Sequence, residues 1–185
     1  MTNIFSSSSA KNYFKDRKNS LLTITFFLFS GIFFTSCGVY SFTGASVPAG
    51  AKTMSIQYFT NKAKIVEPTL SAIFTNALRD RFTSQTNLEM VEKNGDIALE
   101  GEITDYTTTP VAIQADQTAA LNRLTITVNV RFSSRLEPAK DFETSFTQYV
   151  DYPSTENFNG IKNGLIKRIV DDLTDNIFNK AMVNW

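Results

Sequence analysis

Cys37 is the one residue of this sequence whose type and place together point to covalent chemistry. It is the only cysteine among 185 residues, and histidine is absent. A thiol nucleophile needs a neighbouring base, most often histidine, and none exists in this chain. A disulfide within the chain needs a second cysteine. What remains is the thiol as a point of attachment. Its neighbours, Thr35-Ser36-Cys37-Gly38, are small, as a secretory peptidase requires near its cut, and the lipoprotein version cuts just before a cysteine already carrying a diacylglyceryl thioether. The competing reading is an uncleaved signal anchor with an incidental cysteine.

The other groups able to do chemistry are fewer and more ambiguous. Arg123, Arg131 and Arg135 fall at odd positions of one alternating stretch, so a strand puts all three on one face. Guanidinium forks on one face suit phosphates or carboxylates. The plainer reading is a solvated face balanced by Glu100, Glu102, Asp141 and Glu143 on neighbouring strands. Glu100 and Glu102 also share a face, but glycoside hydrolysis needs two carboxylates across a cleft, and nothing in the pattern builds one. Asp171-Asp172 reads as an exposed helix pair rather than a metal site. Without histidine the commonest metal ligand is missing, so no metal and no cofactor is expected beyond a covalent lipid on Cys37. No phosphate-binding glycine loop and no GxSxG nucleophile turn is present.

The elements that must position these residues begin with the leader. Leu21 to Phe34 is an uncharged, mostly apolar run of fourteen residues. At about 1.5 Å per residue it is short for a hydrocarbon core of about 30 Å, and it has the length of a signal-peptide core. Lys11, Lys15, Arg17 and Lys18 precede it, against the single acid Asp16, which keeps that end in the cytoplasm. Residues 1–36 are therefore expected to be removed, 37–50 to form a lipidated tether rich in Gly, Ser and Pro, and 51–185 to form one domain with its own core. The leader carries four of the 18 bases and one of the 18 acids, so the remainder is acidic by three. That balance argues against a nucleic-acid partner.

Within the domain, Lys52 to Phe59 alternates Met54, Ile56 and Tyr58 and predicts a strand. Thr60 to Glu67 reads as a loop. Leu70, Ile73, Phe74, Ala77, Leu78 and Phe82 make the stripe of an amphipathic helix starting near Pro68. Asn87 to Glu92 is a short strand candidate, followed by a turn at Gly95. Asp96 to Tyr106 places Ile97, Leu99, Gly101 and Ile103 on one face, and Thr107 to Thr118 reads as a polar loop. Ala120 to Leu136 is the cleanest alternation, with Leu124, Ile126, Val128, Val130 and Phe132 on one side. Glu137 to Lys140 turns the chain into Asp141 to Tyr152, which points Phe142, Phe146 and Val150 inward. Pairing Leu136 with Phe142 would set Arg135 opposite Glu143. A last helix carries Ile161, Leu165, Ile169, Leu173, Ile177 and Ala181 at every fourth position, and Trp185 beyond it either packs on the sheet or meets a partner. Strands with one apolar face and helices with one apolar stripe pack most economically as an α+β two-layer sandwich: two helices on one face of a roughly four-stranded mixed or antiparallel sheet. The other sheet face is polar.

Several stretches together, in this order, resemble one known family. They are the cysteine followed by GVYSFTGASVP, then IQYF, PTLSAIFTNALRDRFTSQTNL, GDIALEGEITDY, TAALNRLTITVNVRF and DNIFNKAMVNW. The sequence is similar over nearly its whole length after Cys37 to the LptE lipoproteins of lipopolysaccharide assembly. The resemblance implies a non-enzymatic outer-membrane lipoprotein facing the periplasm, held by lipid on Cys37. It implies a plug inside the LptD β-barrel that helps the barrel assemble and handles lipopolysaccharide on its way to the cell surface. It also implies two helices on a four-stranded sheet. It assigns no lipopolysaccharide-contacting residue here, so Arg123, Arg131 and Arg135 rest on strand parity alone. The alternative is a free-standing periplasmic lipoprotein that binds lipid or glycan without a barrel.

Overall fold

The computed structural model describes residues 47–111 and 121–183. Along them run β1 (Thr53–Ile56), β2 (Thr60–Asn61), α1 (Leu70–Gln85), β3 (Glu89–Val91), β4 (Ile97–Val111) and β5 (Leu121–Ser134), then a short 3-10 turn at Pro138–Lys140, β6 (Phe142–Pro153) and α2 (Phe158–Met182). The leader, Cys37, the tether up to residue 46 and Trp185 lie outside the described residues. No described helix is long and apolar enough to cross a membrane.

The sheet runs β3-β1-β4-β5-β6, with β2 also paired to β4. β4, β5 and β6 are antiparallel neighbours, whereas β1 lies parallel to both β3 and β4. The alternation of β5 is realised in full: Leu124, Ile126, Val128, Val130 and Phe132 are all completely buried. They join one core with Leu70, Phe74, Leu78 and Phe82 of α1 and Leu165, Ile169, Leu173 and Ile177 of α2. Both helical stripes thus meet the same sheet face, which makes the two-layer α+β arrangement expected from the sequence. Each such side chain contributes about 1.5–3 kcal/mol relative to leaving it exposed. α2 starts at Asn157, whose side-chain oxygen accepts the Asn159 N–H at 3.1 Å, a cap of the ordinary kind.

The structure departs from the sequence expectation in four places. The strand count is six rather than about four, because the first edge is built from pieces. Lys52 to Phe59 does not run as one strand. After Gln57, whose N–H still donates to Leu99 O at 2.9 Å, the chain leaves the ladder, and the Phe59 N–H donates to Thr75 Oγ1 of α1 at 3.1 Å. Its ring is fully buried against Phe74, with centroids 5.1 Å apart. Tyr58 is thereby turned out, 54% exposed. The chain then rejoins β4 as β2, where a loop was expected. Second, β4 slips register between Ile103 and Asp105. Thr104 is the extra residue, so parity flips and Tyr106 rather than Asp105 points inward. Third, β4 continues through Thr107, Thr108 and Thr109 to Val111, paired with Leu121–Thr125. These residues read as loop because they are polar, yet threonine is β-branched and suits a strand; residues 112–118 of that expected loop lie outside the described residues. Fourth, the β5–β6 hairpin pairs Phe132 with Phe142 and Arg131 with Glu143. The Arg135–Glu143 pairing is therefore wrong. Asp141 Oδ1 accepts the Ser134 N–H at 2.7 Å, and the Arg135 N–H donates instead to Asp96 O at 2.9 Å. Together they end β5 early and leave a wide connection.

Candidate functional site

The polar face of the sheet is a set of cross-strand rows fixed by register. Arg123 lies between Thr109 and Asp151, Thr125 between Thr107 and Tyr149, and Thr127 between Asp105 and Thr147. Asn129 lies between Glu102 and Ser145, and Arg131 between Glu100 and Glu143. Hydroxyls and amides close the rows laterally. Thr127 Oγ1 and Thr147 Oγ1 are 3.0 Å apart, and Asn129 Nδ2 donates to Glu143 Oε1 at 3.0 Å.

The three arginines share this face but do not converge. Arg123 Nε and Nη2 donate to the two carboxylate oxygens of Asp151 at 2.7 and 2.9 Å, a bidentate fork, and the guanidinium lies 3.7 Å from the Tyr149 ring centroid. That fork holds the Asp151 carboxyl below its usual range and raises Arg123 further. Arg131 is exposed between two glutamates in register. Arg135, just beyond β5, donates from Nη1 to Asn94 O at 2.9 Å and stands 4.0 Å from Asp96 Oδ1. At about 3.3 Å per residue, Arg123 and Arg131 are about 26 Å apart along the strand. The arrangement is a series of separate charge pairs rather than one cationic patch. Glu100 accepts from Gln57 Nε2 at 3.2 Å, and Asp171 pairs with Lys167 one helical turn away at 2.7 Å. Among the described residues no three potential ligands are grouped to hold a metal.

Two features escaped the sequence reading. Ser55, Ala98 and Ser133 stand side by side on β1, β4 and β5. Three small side chains in one row leave a depression of about 290 Å³, walled by Gln57 and Glu100 on one side and by Lys93, Asn94 and Arg135 on the other. Asp96 anchors the turn beside it: its Oδ2 accepts the N–H groups of Lys52 and Thr53 at 3.0 Å each and the Thr53 hydroxyl at 2.9 Å. Those donors hold its carboxyl below the usual range. The second feature is a part-buried ion pair where the two helices begin. Glu67, 9% exposed, accepts from Lys162 Nζ at 2.7 Å and from Thr69 Oγ1 at 2.9 Å. Burial and the charge of Glu67 push the nearby Tyr106 hydroxyl up to about 12. No local sequence signal marks either feature, because each joins residues remote in the chain.

The sequence model of the LptE family, described as lipopolysaccharide-assembly, matches residues 51–181. No curated protein sequence matches the chain. Among solved structures, a minor lipoprotein from Acinetobacter baumannii is similar at 17% identity and a TM-score of 0.49, covering 70% of this chain and 91% of that one. The rare lipoprotein B from Shewanella oneidensis is similar at 15% identity and a TM-score of 0.44, covering 69% of this chain and 92% of that one. The family match takes in every described strand and both helices but for the last residue of α2, and on it the chain belongs to the LptE lipopolysaccharide-assembly family.

Proposed function

We propose that this chain is a non-catalytic lipoprotein subunit of the lipopolysaccharide translocon. In this reading residues 1–36 are removed, lipid on Cys37 holds the protein at the inner leaflet of the outer membrane, and residues 37–50 tether the domain. An LptD-like β-barrel is the partner. The domain sits in its lumen, helps the barrel assemble and assists lipopolysaccharide insertion at the cell surface. The observation that carries the proposal is the family match across residues 51–181. The polar sheet face supports it physically. A large barrel alternates polar residues inward and apolar residues outward, so its lumen offers hydrogen-bond partners to rows of threonine, asparagine and paired charges. Arg123, Arg131 and Arg135 are cations of that face and the proposed contacts to lipopolysaccharide or barrel.

The test is affinity purification of the tagged protein from outer membranes in mild detergent, with mass spectrometry of what accompanies it. Near-stoichiometric recovery of a large β-barrel protein is the expected result. Recovery of the lipoprotein alone would overturn the barrel partnership and leave a free-standing lipid- or glycan-binding lipoprotein.

A further inference from the structure

The two edges of the sheet are unlike. One ends in β3, only three residues long and followed directly by Glu92 and Lys93. The other is β6, twelve residues long, paired to β5 without a register shift from Phe142 to Pro153. Proteins usually blunt a long edge with charged side chains, lysine above all, an interior proline, a bulge or a covering element, and the two charges of β6, Glu143 and Asp151, both lie on the polar face beside Arg131 and Arg123. β6 has no lysine, its only proline is its last residue, and among the described residues no strand pairs with its outer side. Along an antiparallel strand the residues alternate in the direction of their N–H and C=O groups, so half of them face away from β5.

The side chains along this edge are also incompletely covered. On the helix side Val150 and Tyr152 are buried, but Phe142, Thr144, Phe146 and Gln148 are only half-buried. From Asp141 to Ile161 the chain has four acids and no base; the Arg123 fork holds Asp151, and Glu143 shares Arg131 with Glu100, so the edge keeps its acidic excess near Glu143. Two copies pairing antiparallel about Thr147 would set Glu143 against Asp151, a like-charge contact that destabilises a sheet. On the helix side Lys180 Nζ already stands 5.6 Å from the Phe142 ring centroid. An incoming strand therefore does best with apolar residues beside Phe142 and Phe146 and with cations on the opposite side, near Glu143.

We infer that the outer edge of β6 is a docking site for an extended segment of another polypeptide. The segment adds to the sheet as a further strand, with apolar and basic or hydroxyl residues in alternation. This inference does not depend on the barrel reading, since it rests on the backbone edge and its charge.

The probe is a fluorescein-labelled nine-residue peptide alternating valine and lysine, with a valine–glutamate peptide as its counterpart. Both are titrated onto the full chain in mild detergent and followed by anisotropy and amide hydrogen exchange. The expected result is binding of the valine–lysine peptide with slowed exchange at alternate amides of β6, and binding by the valine–glutamate peptide weaker by tenfold or more. Glu143→Lys should weaken the valine–lysine peptide by about threefold to tenfold, the range of one or two exposed charge pairs. Gln148→Lys, an inward charge at the edge, should weaken both peptides. Unchanged exchange in β6, equal binding of the two peptides, or a concentration-dependent dimer protected along β6 without peptide would each overturn the inference.

Discussion

Replacing Lys162 by Met isolates the charge of Glu67 while keeping most of the side-chain volume. In the native fold Lys162 Nζ lies 2.7 Å from Glu67 Oε2, with the two side chains 26% and 10% exposed. Removing one partner of a fully buried pair costs about 3–5 kcal/mol, because the other charge is left without compensation. Here the lysine is a quarter exposed and the Thr69 hydroxyl still donates to Glu67 at 2.9 Å, so a cost of about 2 kcal/mol is expected at pH 7. For a domain of this size that is a fall in Tm of about 7 °C. The pH dependence separates charge from packing. In the native protein the Lys162 hydrogen bond, set against burial, holds the Glu67 pKa below its ordinary value. Its stabilisation is present above the unfolded glutamate pKa, about 4.3, and is lost as pH falls through the lower folded value. In Lys162→Met the largest lowering cause is gone and only the Thr69 hydrogen bonds oppose burial, so the Glu67 pKa lies above its value in the native protein. The native fold therefore loses more stability than the variant as Glu67 is protonated, so the variant's deficit shrinks as pH falls. Urea unfolding at pH 7 and pH 4 should show the difference between the two proteins narrowing on acidification. Glu67→Gln, which frees Lys162 to reach water, should cost about 1 kcal/mol or less. A deficit in Lys162→Met that is equal at both pH values would refute the electrostatic reasoning and assign the loss to packing.

Gly101→Ala places a methyl into the carbonyl oxygen of Asn129 and 2.6 Å from the Phe59 ring. Overpacking against backbone should cost about 2–3 kcal/mol, read as a lower urea midpoint with an unchanged slope. Cys37→Ala should abolish labelling by a radiolabelled fatty acid, and continued labelling would sink the lipid anchor. Alanine at Arg123, Arg131 and Arg135 together should weaken lipopolysaccharide binding in a variant with native far-UV circular dichroism. Unchanged binding there would return the three to a solvated, charge-balanced face.

What was legible in the sequence was local. The alternation of β5 and the stripes of both helices are periodicities within one element; burial follows β5 residue by residue, whereas Ile73 and Ala77 of α1 and Ile161 of α2 stay half-buried and Ser71 and Thr75 are buried in addition. What was not legible needed a partner from elsewhere in the chain. Phe59 leaves its strand because Thr75 of α1 offers its N–H an acceptor and Gly101 leaves room for the ring. Tyr106 turns inward only because Thr104 is an extra residue against β5. The hairpin register depends on which backbone groups Asp96 and Asp141 engage, and composition around Pro138 does not reveal that. The candidate face follows the same division. Parity within β5 placed the three arginines on one side. Whether each is paired, and with what, was decided by β4 and β6.

Those pairings rank the arginines for any anion that approaches. An anionic group reaching Arg123 must displace a bidentate carboxylate and a stacked tyrosine, and the guanidinium side chain is only 34% exposed. At Arg131 it meets glutamates on both sides in register. Arg135 is different: its side chain is 65% exposed, its Nη1 donates only to the Asn94 carbonyl at 2.9 Å, and Asp96 Oδ1 stands 4.0 Å away on a carboxylate whose other oxygen is engaged by Lys52 and Thr53. Lys93 shares the same depression with it. A phosphate or carboxylate therefore gains most and displaces least at Arg135. If the face contacts the charged part of lipopolysaccharide, Arg135→Ala alone should account for most of the loss seen in the triple variant, and Arg123→Ala for little of it. The opposite order would mean that the ligand breaks the Asp151 fork, which a group offering two parallel acceptors in place of that carboxylate could do.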